Sequence, residues 1–178
     1  MTETRKRLSF LDRGVAQVAL VVENLERTVE EYWLRFGIGP WHFYTYERPF
    51  VRHMTRNGAP ADYAMRVALA NLGPTRIELI EQKSGDTVYA EFIRAHGYGL
   101  QHLGVLVDDI KSAIREAVAA GYRVTMEGAG FGPDGDGHYA YLDTEEGLGT
   151  TLELIERPRR RAPPEKIYPP PAGEPAPL

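Results

Sequence analysis

The sequence predicts an α+β fold made of two tandem βαβββ modules and a proline-rich C-terminal tail. Three observations predict it. Stretches of strand-like and helix-like periodicity give the element order β-α-β-β-β, and the same order then occurs a second time at a spacing of roughly 80 residues. The closing strands of the two passes are also nearly identical, at Arg76–Glu81 and Leu152–Glu156.

Length and composition limit the classes of protein that fit. The 178 residues, 43% of them hydrophobic and 26% charged, suit one soluble domain or two halves that share a core. The net charge of −4 gives no electrostatic reason to expect nucleic acid or an anionic membrane as a partner. No apolar run is long enough for a membrane span or a signal peptide, so we expect a cytoplasmic protein. The absence of cysteine excludes disulfides and thiolate metal ligands.

The first module is predicted over residues 14–82, after a polar lead-in at 1–13. Val15–Val22 is apolar at nearly every position, which indicates a buried strand. Asn24 is placed to cap a helix whose apolar residues recur at helical spacing until Gly37. Three further strands are predicted at Trp41–Tyr46, Tyr63–Ala70 and Arg76–Glu81.

A connector at 83–98, with a short helix of its own, leads to the second module at 99–156. Its first strand, Gln101–Val107, precedes a helix that starts at Ile110 and that Gly121 ends. Three strands follow, at Tyr122–Glu127, Tyr139–Asp143 and Thr150–Glu156, with a glycine-rich loop at Gly128–Gly137. Arginine and proline then dominate, which predicts an extended and partly disordered tail over 157–178.

Four polar residues interrupt the apolar strands at equivalent positions of the two modules. Gln17 and His102 lie in the opening strands, and Glu78 and Glu153 lie in the closing strands. Because side chains alternate faces along a strand, each closing strand directs one acid inward. The second acid of each closing strand then points toward solvent: Glu81 and Glu156.

The inward pair of acids is the one that needs an explanation. A lone buried carboxylate is costly unless it is paired or bound to a metal. Two of them at equivalent positions suggest a shared divalent cation, with His102 and Gln17 as the other donors. The alternative is that Glu78 and Glu153 face solvent, while Gln17 and His102 are hydrogen-bonded core residues.

Over residues 14–156 the chain resembles the vicinal oxygen chelate superfamily, which includes glyoxalase I, methylmalonyl-CoA epimerase, extradiol dioxygenases and bleomycin-resistance proteins. The resemblance rests on opening strands that end in Glu23-Asn24-Leu25 or Asp108-Asp109-Ile110, and on the two Ile/Leu-Glu-Leu closing strands. It implies that the modules form a half-open eight-stranded barrel and that the protein is a homodimer. It also implies that one divalent ion (Zn, Co, Ni, Mn or Mg) is held by four residues: Gln17, Glu78, His102 and Glu153.

The set of glutamine, histidine and two glutamates matches the ligands of some glyoxalase I enzymes, whereas two segments, Gly99-Leu100-Gln101-His102-Leu103 and Asp143–Gly149, are closer to the methylmalonyl-CoA epimerase branch. The implied activity is a metal-dependent isomerase or lyase that transfers an α-proton of a small carbonyl or acyl-thioester substrate. Glu153, or else Glu78, is the expected base. Two alternatives stay open: a metal-free small-molecule binding or resistance protein, and a non-haem iron dioxygenase, although Gln17 replaces the second histidine of such dioxygenases.

Two further histidines are candidate substrate contacts. His138 follows the glycine-rich loop, where a polar group would reach a substrate. His53 lies between Arg52 and Arg56 and with them would bind an anionic group. The arginines of the tail are a third candidate for anion binding, but arginines beside prolines are more often solvated.

Overall fold

The computed structural model describes residues 8–171, which form one curled, open sheet with two of its helices against the outer face. After a 3-10 turn at Ser9–Arg13, the helices are α1 (Leu25–Phe36), α2 (Val88–His96), α3 (Ile110–Ala119) and α4 (Glu145–Leu148). The strands are β1 (Gln17–Val21), β2 (Trp41–Tyr46), β3 (His53–Arg56), β4 (Ala59–Pro60), β5 (Ala64–Leu72), β6 (Thr75–Ser84), β7 (Gly99–Leu106), β8 (Val124–Phe131), β9 (Gly137–Leu142), β10 (Thr151–Glu156) and β11 (Lys166–Tyr168).

The strand order expresses the repeat. Across the described residues the sheet runs β11-β2-β5-β6-β1-β7-β10-β9-β8-β3-β4. Each module lies in the same order outward from the centre, with its opening strand parallel to its closing strand. The opening strands β1 and β7 pair antiparallel at the centre. This pairing relates the two modules by a pseudo-two-fold axis between β1 and β7.

Three strands lie outside the eight that the repeat predicts. The hairpin β3–β4 follows β2 in the chain, but β3 pairs with β8 of the second module. The chain between β2 and β3 therefore crosses the open side of the sheet. β11 belongs to the C-terminal tail and pairs with β2.

The described part of the tail, up to residue 171, is extended, and Lys166–Tyr168 pair with β2 as β11. Residues 172–178, like residues 1–7, lie outside the described part, so the partial disorder of the tail stays a prediction. One other sequence expectation needs correction. The predicted loop Gly128–Gly137 is strand up to Phe131. Gly128 allows this, because an added Cβ would lie 2.2 Å from the ring of Tyr139 on the neighbouring strand.

Buried apolar residues form three clusters, two on the outer face of the sheet and one on its concave face. One cluster packs α1 on the outer face of the first module, and a second packs α3 on the outer face of the second module. The third lies in the concave face and is rich in aromatic residues, including Tyr89 from α2. No helix among residues 8–171 is both long and apolar enough to cross a membrane.

The acids at the ends of the closing strands have a structural role that the sequence did not reveal. Glu81 and Glu156 each accept a hydrogen bond of 2.9 Å from the first backbone N–H of α1 and α3, respectively. Asn24 and Asp109 accept a second hydrogen bond as the N-caps of the same helices. The first N–H groups of a helix have no partner within it, which explains why these acids turn to the helices instead of facing solvent.

Candidate metal centre

Side chains from the four central strands, β6-β1-β7-β10, converge on the concave face. Residues that are directly opposite one another form two neighbouring rows across these strands, namely Glu78, Ala19, His102 and Thr151 in one, and Arg76, Gln17, Gly104 and Glu153 in the other. The pseudo-two-fold axis exchanges the rows. It relates Gln17 to His102 and Glu78 to Glu153, so the repeat in the sequence becomes a cluster in space.

The four predicted metal ligands, Gln17, Glu78, His102 and Glu153, lie together on this concave face and are called the floor of the site. His102 Nε2 is 3.1 Å from Glu153 Oε2 and 3.4 Å from Glu78 Oε2. Gln17 Nε2 donates hydrogen bonds to the same two carboxylates, at 3.0 and 2.8 Å. His102 is fully buried, Gln17 is 1% exposed and Glu153 is 5% exposed. One donor atom from each of Glu78, His102 and Glu153 lies within 4.8 Å of the other two, which suits a shared cation.

His102 is oriented from behind by its chain neighbour. Its Nδ1 lies 2.8 Å from Gln101 Oε1. An amide oxygen can only accept, so Nδ1 is protonated and donates this hydrogen bond. Nε2 therefore faces the carboxylates. Burial by itself lowers the pKa of His102, but Glu153 and Glu78 outweigh burial and raise it to about 9. Without a metal, the imidazolium neutralises part of the negative charge of the two glutamates.

Gln17 takes part in the cluster with a fixed amide. Its Oε1 accepts a hydrogen bond of 2.6 Å from Arg76 Nε, which leaves Nε2 toward the carboxylates. Coordination through oxygen requires the amide to turn over and release Arg76. The sequence analysis did not assign Arg76 a role, although the residue is only 9% exposed and its guanidinium holds this amide.

The donor types fit a divalent ion. Two carboxylates and a neutral imidazole suit Zn, Co, Ni or Mn, and an amide oxygen adds a fourth donor. Metal-binding histidines typically donate their second ring N–H to an acceptor, as His102 does to Gln101. Glu78, His102 and Glu153 fit the ion in their present orientation, and Gln17 fits after rotation of its amide.

Gly104 keeps the floor open. It pairs with both Gln17 and Glu153 across the sheet. A Cβ at this position would lie 2.8 Å from Ile155 Cδ1, 2.9 Å from Gln17 Cβ and 3.3 Å from Glu153 Oε2. A glycine inside an apolar strand often marks a close approach, and this was the available signal in the sequence.

Aromatic side chains form the walls above the floor. The ring of Tyr141 meets His102 edge to face at 5.1 Å, and its hydroxyl lies 2.6 Å from that of Tyr89. Burial, and then Glu153, raise the pKa of both tyrosines well above the usual value, so their hydroxyls stay neutral. The other aromatic residues that line the pocket are Tyr44, Tyr46, Phe50, Phe131 and Tyr139.

Floor and walls enclose a pocket with an empty volume of about 710 Å³, including space open to solvent. The two weaker candidates from the sequence do not line it. His138 Nε2 lies 2.5 Å from Glu127 Oε1 on β8, and His53 is exposed on β3. Neither histidine is brought to the cluster.

Comparison with known proteins identifies the family. The model of the Glyoxalase/Bleomycin resistance protein/Dioxygenase superfamily matches residues 16–141. The chain therefore belongs to this superfamily, as the sequence resemblance predicts. No curated protein gives a significant match.

Solved structures share the fold at low identity. Methylmalonyl-CoA epimerase from Mycobacterium tuberculosis superposes with a TM-score of 0.58 at 23% identity, covering 82% of this chain and 88% of that one. A variant of the Streptomyces coelicolor epimerase in complex with 2-nitronate-propionyl-CoA gives 0.58 at 19%, with coverage of 84% and 97%. A hypothetical protein from Bacillus halodurans gives 0.57 at 19%, with coverage of 83% and 96%. These similarities establish the fold.

Proposed function

We propose that this member of the superfamily is a divalent-metal-dependent isomerase or lyase that moves the α-proton of a carbonyl or acyl-thioester substrate. The observation that carries the proposal is the pair of carboxylates, Glu78 and Glu153, placed by the pseudo-two-fold axis on two sides of a buried histidine. Both line the floor of the same pocket. The likeness to methylmalonyl-CoA epimerases supports the same class of reaction.

Glu78, His102 and Glu153 would hold the ion, with Gln17 as a fourth donor. A bound divalent ion supplies Lewis acidity, which stabilises the negative charge that develops on the substrate's oxygen as the α-proton leaves. His102 would hold the ion through Nε2 as a neutral imidazole, because a protonated nitrogen has no lone pair to offer a metal. Gln101 keeps the ring in place through Nδ1.

Glu153 is the proposed base, and Glu78 is its counterpart. Glu153 is the more buried of the two, with 6% of its side chain exposed against 12% for Glu78. A buried carboxylate released from its partners accepts a proton more readily than a solvated one. Inversion at the α-carbon requires that a proton leave one face and return to the other. Two carboxylates related by a two-fold axis suit this requirement, whereas a lyase reaction needs only one.

The aromatic walls support the same chemistry. Tyr89 and Tyr141 remain neutral because of burial, so they orient groups through their hydroxyls and do not compete for the α-proton. Tyr46 meets Phe50 and Phe131 edge to face, and the three rings line the same pocket with apolar surface that would displace water when a substrate binds. Exclusion of water strengthens the electrostatic interactions on which the proton transfer depends.

Metal content and proton exchange test the proposal together. Protein purified without chelator should contain one divalent ion per chain by inductively coupled plasma mass spectrometry. In D2O it should exchange the α-proton of methylmalonyl-CoA, or of a thiohemiacetal of a 2-oxoaldehyde, as seen by NMR. Glu153→Gln should slow exchange at least 100-fold. Glu127→Gln, whose carboxylate contacts His138 outside the pocket, is the matched control. A metal-free protein without exchange on either substrate would exclude the proposal.

A metal-free binding protein is the second candidate, and one observation favours it. His102 and Gln17 already satisfy both carboxylates, and Arg76 satisfies Gln17, so the cluster is complete without an ion. Ligand affinity that is unchanged by EDTA and by Glu153→Gln would select this function. An iron dioxygenase is less well supported, because the cluster offers one histidine and two carboxylates where such sites use two histidines.

The superfamily resemblance also carries the proposal of a homodimer. Sedimentation velocity at micromolar concentration measures it directly, with a single species of twice the 20.0 kDa chain mass expected.

A further inference from the structure

We propose that the start of the C-terminal tail forms, together with Arg76, a receptor for an anionic group on the substrate, either a carboxylate or a phosphate. The segment 157–168 is named the strap. This inference rests on the proposed function, since the anion belongs to the molecule whose α-proton is transferred. It narrows the substrate class to carbonyl compounds that carry a negative charge at a distance from the reacting carbon.

The strap is fastened across the rim of the pocket at both ends. At its far end β11 pairs with β2, and Glu165 accepts hydrogen bonds of 2.8 and 3.0 Å from the backbone and hydroxyl of Thr45. At its near end Pro158 packs against Gly132, where an added Cβ would lie 2.7 Å from the proline ring. Pro158 also lines the pocket, as does Ala162 farther along the strap.

The four arginines of the strap divide into two pairs with different partners. Arg159 and Arg160 form ion pairs with Asp136 and Asp134 in the loop before β9, each through an Nε contact of 2.8 Å. Arg157 and Arg161 instead line the pocket. Within residues 8–171 they form neither a hydrogen bond nor an ion pair through their side chains. The strap thus places the side chains of Arg157 and Arg161 at the pocket, while Arg159 and Arg160 form ion pairs with the loop before β9.

Arg76 adds a third positive charge from the floor. Its Nε donates a hydrogen bond to Gln17, and the residue also lines the pocket. Burial, and then the repulsion of Arg76 and Arg161, lower the pKa of Arg157 to about 10. Among the described residues no carboxylate lies within ion-pair distance of Arg157 or Arg161, so an anion bound beside them gains attraction and relieves the repulsion between them.

The geometry also says where the anion lies relative to the chemistry. Glu78 and Glu153 repel a negative group, so the anion would bind beside the guanidinium groups of Arg76, Arg157 and Arg161, which line the same pocket. Guanidinium groups bind carboxylates and phosphates through paired N–H donors, so either anion fits. The reacting carbonyl would then lie beside Glu78 and Glu153, which line the pocket, with the anion on the side of the arginines.

Anion binding to the full chain tests the receptor directly. Inorganic phosphate and malonate are titrated separately by isothermal calorimetry, with malonamide as the uncharged control. Arg157→Gln/Arg161→Gln should weaken binding of the preferred anion at least tenfold. Lys111→Gln/Arg115→Gln removes the same charge from the exposed face of α3, so it should change affinity less than twofold. Preference for phosphate or for malonate identifies the source of the anion.

The outcomes separate this inference from the proposed function. Failure of the wild type to bind either anion, or equal affinities in the two double variants, overturns the receptor. With an anionic substrate, the Arg157→Gln/Arg161→Gln variant should raise KM and leave kcat within twofold, and a fall in kcat alone contradicts a binding role. If the wild type does not exchange the α-proton, only the proposed function is contradicted, because anion binding is measured without turnover. Circular dichroism confirms that the variants are folded.

Discussion

The two modules share a frame but differ in what surrounds their central polar residue. In the second module His102 is held from behind by Gln101 and carries a proton with a pKa of about 9. In the first module Gln17 occupies the equivalent place, stays neutral and is held by Arg76. The closing glutamates, in contrast, are the same in both. The frame thus supplies paired carboxylates, and the differences between modules supply one ionisable ligand and one fixed cation.

Some positions that the pseudo-two-fold axis relates carry different residues in the two modules. Arg76 in the first module corresponds to the buried Thr151 in the second, and Ala19 corresponds to Gly104. The first change places positive charge on one side of the pocket only. The second opens space on one side only. A symmetric frame therefore encloses an asymmetric pocket, which is what an asymmetric substrate requires.

The largest expected contrast between the modules comes from their central polar residues. His102→Ala removes the imidazolium that contacts both Glu78 and Glu153. Breaking a buried charge pair costs about 3–5 kcal/mol, so the metal-free variant should lose that much free energy of unfolding in urea. Gln17→Ala removes a neutral hydrogen-bond donor and should cost about 1–3 kcal/mol. Equal losses in the two variants would show that the modules are not distinguished by charge.

The next contrast is the dependence of metal affinity on pH. Metal binding must displace the proton of His102, whose pKa is about 9 in the metal-free protein. Affinity should therefore rise about tenfold per pH unit between about pH 6.5 and 8.5 and level off near pH 9. Since folding raises this pKa from 6.5, the stability that His102 gives the metal-free protein is full below pH 6.5 and falls as the pH approaches 9.

Competition with a chelating dye at several pH values measures this slope. His102→Gln copies the first module into the second and should abolish the slope, because the replacement does not titrate. A slope that persists in His102→Gln would assign the displaced proton to another group.

A smaller contrast concerns space. Gly104→Ala places a methyl group less than 3 Å from Gln17 and Ile155, so it should cost about 1–3 kcal/mol and weaken metal binding. The reverse change at the related position, Ala19→Gly, should cost about 1 kcal/mol and leave metal content unchanged. Thermal unfolding and metal analysis of both variants check the pair. Full metal content in Gly104→Ala would mean that the floor tolerates the added group.

The smallest contrast is expected where the modules are most alike. Glu81 and Glu156 cap α1 and α3 in the same way, so Glu81→Gln and Glu156→Gln should each cost about 1 kcal/mol. Urea unfolding measures both. A difference between them larger than about 1 kcal/mol would show that the two helices do not contribute alike.

Local pattern predicted much of the fold and the floor of the site. The alternation of side chains places Glu78 and Glu153 on the face opposite Glu81 and Glu156, and the repeat matches Gln17 with His102. These inferences depend only on the period of the strands and the spacing of the repeat, which tertiary packing does not change, so the structure agrees with them. The expectation that Glu81 and Glu156 face solvent was wrong, because the sequence does not show which helix end lies beside a strand end.

The sequence by itself determined the two modules, the element order within each and the four residues at the floor, because strand and helix periods are properties of neighbouring residues. Only the tertiary structure decided what lies above the floor. It brought β3 to the second module, laid the strap on β2 and gathered Arg76, Arg157 and Arg161 at one pocket. Those contacts join residues far apart in the chain through edge pairing and shape, and no local pattern records them.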